Sequence, residues 1–370
     1  MNEKESQIFH LIKENPFLTQ NEIAGKLNLS RSAIAGYISS LTKQGKLLGR
    51  AYILPEDKRI VCIGGANMDR KSMLEQVFCL ETSNPVRTTS TLGGVARNIA
   101  ENLGRLGTDV HLLTIVGDDR EGKEVLARTS EYVKILPSLE AAGQSTGTYT
   151  AILDEHGNMA VALADMGIYD TVDIPFIEKR WSHIAASAMV LLDTNFPKEV
   201  IGYIIERCAY ENIPVAVVPV SIPKMDRLPE DLSNLEWLIL NREEAEALSG
   251  MPVTDDNSVQ AAAEKILARG ARNVIITRSE KGLYYTNGMG ESGFLIGQPA
   301  ESVVDVTGAG DSLASGIMLG AIEGYSILES CQYGMACASM TIRSKETVSP
   351  ALNRPSLEKE KELLFQKESN

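Results

Sequence analysis

At 370 residues the chain has room for one large domain and a smaller one. Its 44% hydrophobic and 23% charged residues are those of an ordinary soluble globular protein, and no apolar run reaches the ~18 residues that a membrane span requires. The net charge of −13 is unevenly spread: residues 20–54 hold five basic side chains (Lys26, Arg31, Lys43, Lys46 and Arg50) against one acidic, Glu22. An acidic body carrying a basic N-terminal patch predicts two jobs. The charged start MNEKESQIFH lacks a following apolar core, so no secretory signal is expected. Five scattered cysteines (62, 79, 208, 331 and 337) read as reduced thiols of a cytoplasmic protein. Four histidines (10, 111, 156 and 183) show no metal-ligand spacing.

Ser6–Lys13 places Ile8, Phe9, Leu11 and Ile12 in a helical pattern that stops near Asn15-Pro16. Thr19–Leu27 predicts a second helix, with Thr19 and Glu22 spaced as a capping box. After the turn Asn28-Leu29-Ser30, a third helix is expected over Arg31–Gln44, with Ile34, Ile38 and Leu41 on one face. Lys46–Leu54 then alternates as a strand pair would. This stretch resembles a winged helix-turn-helix, with Arg31–Gln44 as its recognition helix. Arg31, Ser32 and Tyr37 are the candidates to face DNA, with Lys43, Lys46 and Arg50 near phosphates. A small three-helix module for protein contact or dimerisation fits the same pattern. Pro55–Lys58 reads as the linker.

Arg59–Gly64 predicts a buried strand leading into Gly64-Gly65-Ala66-Asn67-Met68-Asp69. Gly93–Leu106 opens with a glycine pair and continues as a helix with Ile99, Leu103 and Leu106 on its core side. A strand over Val110–Val116 and a helix to about Ser130 follow. Thr146–Asp165 is two alternating runs around Glu155-His156-Gly157-Asn158, a hairpin signal that leaves His156 exposed. From Ala188 the pattern alternates. Strands are expected at Ala188–Asp193, Pro214–Val218, Trp237–Leu240 and Asn273–Thr277. Helices are expected at Lys198–Glu211, Arg242–Leu248 and Val259–Arg269. This rhythm predicts a mostly parallel sheet covered on both faces. Asp193 and Asn195 end one strand, where open α/β sheets bind ligands. Asn241 and Glu244 suit a capping residue and a first-turn acid. Ile327–Met340 reads as an apolar helix rich in small residues, and Leu357–Lys367 as a solvated helix with one packing face.

The chain is organised around Val303–Gly320, VVDVTGAGDSLASGIMLG. Glycines let the backbone turn tightly, and the helix that follows points unpaired N–H groups at whatever occupies the turn. A carboxylate in such an anion hole, Asp311, suits a base that takes a proton while the N–H groups hold a phosphate. The same spacing also serves a plain strand–turn–helix joint with an acidic helix start. The chain has no G-x-x-x-x-G-K-[ST], which excludes a P-loop enzyme.

Asp305 to Asp311 (D-x-T-G-A-G-D), Gly93-Gly94 with Asn98 (G-G-x-x-x-N), and Asn241 with Glu244 (N-x-x-E) together resemble the signatures of the ribokinase-like (phosphofructokinase-B) sugar and nucleoside kinases, over roughly Lys58 to Leu352. The resemblance implies an α/β fold: a three-layer αβα core with a mostly parallel sheet and a small β lid, here near 71–91 and 146–165. The boundaries expected are 1–57 for the winged helix and 58–370 for the kinase domain. The resemblance also implies ATP, Mg2+ and often a monovalent cation such as K+. Asp311 would be the base, beside the anion hole Gly308, Ala309 and Gly310. Asn67, Asp69, Gly93, Gly94 and Asn98 would hold the sugar. Asn241, Glu244, Arg278, Gly282 and Thr307 would serve the nucleotide, with Glu244 reaching Mg2+ through water and Asp305 the monovalent cation. Ser83-Asn84-Pro85, Gly94–Ala100 and Ala164-Asp165-Met166 look most like the pseudouridine kinase branch, which makes Asn84 and Asp165 candidate contacts to the base or its ribose. The chain departs from that branch at Val86, Ala96, Val218 and Leu240. The last two stand where charged residues are common. The expected partners are a nucleoside, ATP and DNA, with no membrane; by analogy the protein is expected to be a homodimer.

Overall fold

The computed structural model describes residues 3–15, 18–43, 58–154, 156–297 and 302–365. The chain divides into two compact units, Met1–Leu54 and Pro55–Asn370. In the first, the helices Glu3–Glu14, Gln20–Leu27 and Arg31–Lys43 bury Ile8, Ile23, Ala24, Ile34 and Leu41. The capping box forms: Thr19 Oγ1 accepts from Glu22 N at 3.2 Å, and the Glu22 carboxylate accepts from Thr19 N at 2.7 Å. Asn28, at φ +50°, ends the second helix, and Ser30 Oγ accepts from Ala33 N at 3.2 Å to start the third. The expected wing over Lys46–Leu54 and the linker residues Pro55–Asp57 lie outside the described residues.

The larger unit is built on a sheet of nine strands among the described residues. Their order is Ser292–Leu295, Leu283–Asn287, Asn273–Thr277, Trp237–Asn241, Val215–Val218, Met189–Asp193, Ile60–Ile63, Val110–Leu113 and Lys134–Ile135. All neighbours are parallel except the first two pairs. Alternate residues of one strand feed opposite cores: Val61 and Ile63 pack on one face, Ile60 and Cys62 on the other. The chain runs outward from Ile60–Ile63 in one direction and later returns to build in the other. The switch point therefore lies between Ile60–Ile63 and Met189–Asp193, and a crevice opens beyond their carboxyl ends.

A second sheet of four strands forms the lid, in the order Val86–Gly93, Asn67–Leu74, Thr148–Leu153 and Met159–Asp165. Its outermost strand, Met159–Asp165, is exposed along its whole length. The alternating elements from Met189 onward match the sequence expectation to within a residue or two, except that Asp256–Ala268 starts earlier than Val259. Val110–Val116 is instead two strands, Val110–Leu113 and Ile115–Gly117, broken at buried Thr114. The edge hairpin Leu283–Asn287/Ser292–Leu295 and the short helices Ile174–Glu178 and Trp181–Ile184 were not foreseen. The last helix, Arg354–Phe365, starts earlier than Leu357, with Pro355 in its first turn. The five cysteines are unpaired, and all but Cys79 are buried. No helix among the described residues is long and apolar enough to cross a membrane.

Candidate active site

The crevice is held together by Asp193. It ends its strand fully buried, and four donors converge on its carboxylate: Gly65 N (2.8 Å), Ala96 N (3.1 Å), Asn195 Nδ2 (2.9 Å) and Asn195 N (2.8 Å). One side chain thus ties together the loop after the first strand, the start of the helix Val95–Arg105 and its own loop. Burial pushes its pKa up, and these donors work against that rise. Tyr169 adds a second tie, its hydroxyl donating to Ala66 O at 2.8 Å and accepting from Ala66 N at 3.0 Å. Gly94 sits at φ +98°, and a Cβ there would fall 2.3 Å from Gly65 O, so the two loops can touch only because it is glycine.

Asp69 lies two residues into the lid strand and accepts from Asn67 Nδ2 at 2.6 Å. A Cβ on Gly93 would fall 2.3 Å from the Asp69 carboxylate, so Gly93 gives that group its room. Burial pushes Asp69 up to about 6, although Asn67, Arg97 and Lys71 favour its charged form.

The helix Ala309–Glu323 starts at Gly308, whose φ of +82° and closeness to Thr347 O leave no place for a side chain. A Cβ on Gly310, in contrast, would meet nothing within 4 Å, so the first turn of the helix opens onto free space. Asp311 stands in that turn and accepts from Asn98 Nδ2 at 2.7 Å. Asn98 is oriented in turn by Arg97, whose guanidinium donates to Asn98 Oδ1 and to Glu101 Oε2 (2.5 Å). Arg97 is 1% exposed, and its charge faces both Asp69 and Asp311. Burial raises Asp311 to about 7, with Asn98 and Arg97 pulling down and Asp193 and Asp69 pushing up. Three stretches far apart in the chain therefore converge on one carboxylate poised near neutral pH.

On the opposite flank, Asn241 and Glu244 form a capping box at the start of Arg242–Ser249: Asn241 Oδ1 accepts from Glu244 N (2.8 Å), and Glu244 Oε2 from Asn241 N (2.9 Å). Glu244 is buried, and burial raises it to about 7. Beside it lies an open cavity of ≈ 310 Å³, lined among others by Asn241, Glu243, Thr254, Asp255, Arg278 and Lys281. Arg278 pairs with the Asp256 carboxylate and stacks its guanidinium 4.6 Å from the Phe294 ring centroid, while its buried Nη1 has no partner. Gly282, at φ +77°, closes the turn that carries Arg278. Thr307 donates to Asp305 Oδ1 through N (2.9 Å) and Oγ1 (2.7 Å). Val218 and Leu240, the departures at usually charged positions, are buried in the two cores.

Not every candidate joins the cluster. Asn84 sits in the exposed loop between two lid strands, where its amide closes a turn with Cys79 (2.7 and 2.9 Å) and Thr82 (3.1 Å). Asp165 ends the outer lid strand, exposed and in register with Thr148. In the N-terminal unit Arg31 and Ser32 are exposed, and Ser32 Oγ shares a hydrogen bond with Ser30 Oγ at 3.0 Å. Tyr37 is half-buried and packs on the three-helix core. The Lys43 side chain, Lys46 and Arg50 lie outside the described residues. Sequence reasoning missed Arg97, Tyr169, the tying role of Asp193, and Lys71, which pairs with Asp305.

Comparison with known proteins identifies the families of the two parts of the chain. Residues 57–354 match the model of the pfkB family carbohydrate kinases, and residues 1–47 that of the winged helix-turn-helix DNA-binding family. An uncharacterized sugar kinase of Escherichia coli is 32% identical over 358 residues, covering 96% of this chain and 97% of its own length. A pseudouridine kinase of the same organism is 32% identical over 300 residues, covering 80% of this chain and 95% of its own. Among solved structures, a carbohydrate kinase from Agrobacterium tumefaciens superposes with a TM-score of 0.74 at 31% identity, over 84% of this chain and 98% of that one.

Proposed function

Starting from the fact that this chain belongs to the pfkB family of carbohydrate kinases, we propose that it transfers the γ-phosphoryl group of ATP to the 5′-hydroxyl of a nucleoside, pseudouridine first among them. We assign this reaction to residues 58–370 and DNA contact to residues 1–57. The observation that carries the reading is Asp311, bonded by Asn98 in the open first turn of a helix and held near neutral proton affinity. Asp311 takes the proton of the hydroxyl as it attacks the γ-phosphorus. The N–H groups of Gly308 and Gly310 meet the phosphate and stabilise the charge that develops on it, while that of Ala309 is donated to Val306 O at 3.2 Å. Asp69, with Asn67 holding its carboxylate, accepts from vicinal ribose hydroxyls. Asn98 has a second amide proton for the same ribose, and Gly94 lets the backbone approach.

ATP lies on the flank of Asn241, Arg278, Gly282 and Thr307. Among the described residues no three acidic, histidine or cysteine side chains converge as a metal cage. The single buried carboxylate of Glu244 fits an Mg2+ that arrives with the phosphates and is reached through water. That ion supplies charge neutralisation of the phosphates. Positioning and charge stabilisation are most of what phosphoryl transfer asks of the protein. The choice of pseudouridine is supported by the E. coli pseudouridine kinase and by the resemblances at Asn84, the Gly94–Ala100 stretch and Asp165.

The test is ATP- and Mg2+-dependent phosphorylation of pseudouridine, uridine, cytidine, adenosine, ribose and fructose, with Asp311→Asn as control. Turnover of pseudouridine that is lost in the control is the expected result. Turnover of another member would keep the kinase and sink the substrate assignment. The winged helix-turn-helix match favours a second reading, a transcription regulator that uses the kinase domain as a ligand sensor. Tight nucleoside binding without turnover, together with DNA affinity altered by that nucleoside, would select it.

A further inference from the structure

Residues two apart on a strand share a face. Along Asn67–Leu74 this puts Asn67, Asp69 and Lys71 on one face of the lid. Asp69 meets Gly93 and the ribose side of the site. Lys71 reaches the turn that leads into Gly308, where its ammonium pairs with Asp305 Oδ2 and donates to Thr307 Oγ1 at 2.9 Å. Asp305 Oδ1 is already engaged by Thr307 N and Oγ1. The Thr307 hydroxyl thus gives its proton to Asp305 and a lone pair to Lys71. Lys71 and Asp305 are 35% and 27% exposed, so the pair is partly withdrawn from water.

A monovalent cation at this carboxylate would have to displace an ammonium or share an acid that is already neutralised. The residues present do not fit the cation that the resemblance implies for Asp305. We propose that Lys71 supplies from within the chain the positive charge that a monovalent cation would otherwise place at Asp305. The turn Asp305–Gly308 is then set by the lid strand that also carries Asp69, and the protein is indifferent to K+. Only the catalytic consequence rests on the kinase reading.

The test uses the full chain and Lys71→Met in potassium, sodium and choline chloride at equal ionic strength, so that general screening is constant. Thermal unfolding without nucleotide and kcat/KM for ATP are both read. For the wild type, the melting temperature should agree to about 1 °C and kcat/KM to about two-fold across the three salts. Lys71→Met should fall by roughly five-fold or more in choline, with a lowered melting temperature, and both should recover selectively in potassium. Wild-type potassium activation beyond about two-fold, or a Lys71→Met protein that responds to no cation, overturns the proposal. If Lys71→Met does not fold in choline, Lys71→Arg should fold there with the wild type's indifference; a potassium requirement in that variant also overturns it. Wild-type protein without turnover, with the cation pattern intact in unfolding, would sink the kinase reading and leave Lys71 in its role.

Discussion

Replacing Asn98 with alanine should move the proton affinity of Asp311 and not merely weaken the site. Burial holds Asp311 at about 7, and the 2.7 Å bond from Asn98 Nδ2 is the leading interaction that favours its charged form. A hydrogen bond to a charged group is worth ~1.5–3 kcal/mol, and one pKa unit is ~1.4 kcal/mol. Asp311 in Asn98→Ala should therefore titrate ~1–2 units higher, at ~8–9. At pH 7.5 the ionised fraction would drop from roughly three-quarters to roughly 3–25%, an activity loss of ~3- to 25-fold that reverses as pH rises. The assay is kcat/KM for the nucleoside between about pH 5.5 and 10. Loss of a ribose contact lowers the plateau equally at every pH, so the diagnostic is the midpoint of the acid limb, not its height. A midpoint that stays within ~0.3 units of the wild type's would refute the assignment of Asp311 as base or of Asn98 as its partner.

The proton affinity of Asp311 also has a cost in stability. Its folded value of about 7 lies above the ordinary 3.8, so the stability it contributes at low pH is lost as pH rises through 7. Above that, the ionised carboxylate weighs on the fold by up to ~4 kcal/mol. Asp311→Asn should melt higher than wild type at pH 8 and nearly level with it at pH 4; an offset independent of pH would contradict this. Gly94→Ala forces a side chain into φ +98° and against Gly65 O, and should lower stability by at least ~2 kcal/mol in urea unfolding. For the N-terminal unit, duplex binding followed by fluorescence anisotropy should weaken with added salt, and Arg31→Ala should reduce the log–log slope by ~1. A full chain with no salt-sensitive duplex affinity removes the DNA assignment.

Much of the site was legible because its parts sit in loops that carry their own chemistry. Gly93-Gly94, Asn98 and Gly308–Asp311 announce backbone turns and polar groups where the helical and strand periods break. The parallel sheet was legible from the alternation after Ala188. What stayed hidden depends on partners distant in the chain. Lys71 meets Asp305 across 234 positions, and nothing local to either marks the pair. Nothing in the stretch Gly94–Ala100 assigns Arg97 a role, yet it is buried with its charge facing Asp69 and Asp311. Asp193 marked a ligand-binding strand end, but its tie to Gly65 and Ala96 has no local signature. Of the two readings of Asn241 and Glu244, the capping one is formed in the structure, and Asn241 also lines the cavity on that flank. Tyr37, expected to face DNA, instead packs half-buried on the three-helix core beside Ile34 and Leu41.

The four donors that reach Asp193 include three backbone N–H groups, of Gly65, Ala96 and Asn195. Main-chain donors are indifferent to most side-chain changes. The loops that face substrate can therefore exchange residues without loosening the frame that spaces them. Point substitution elsewhere in these loops can change what the crevice selects while its frame keeps its spacing; Gly64 and Gly65 are the exceptions, since a Cβ on either would fall 2.2–2.3 Å from the Asp193 carboxylate or the Asn195 amide.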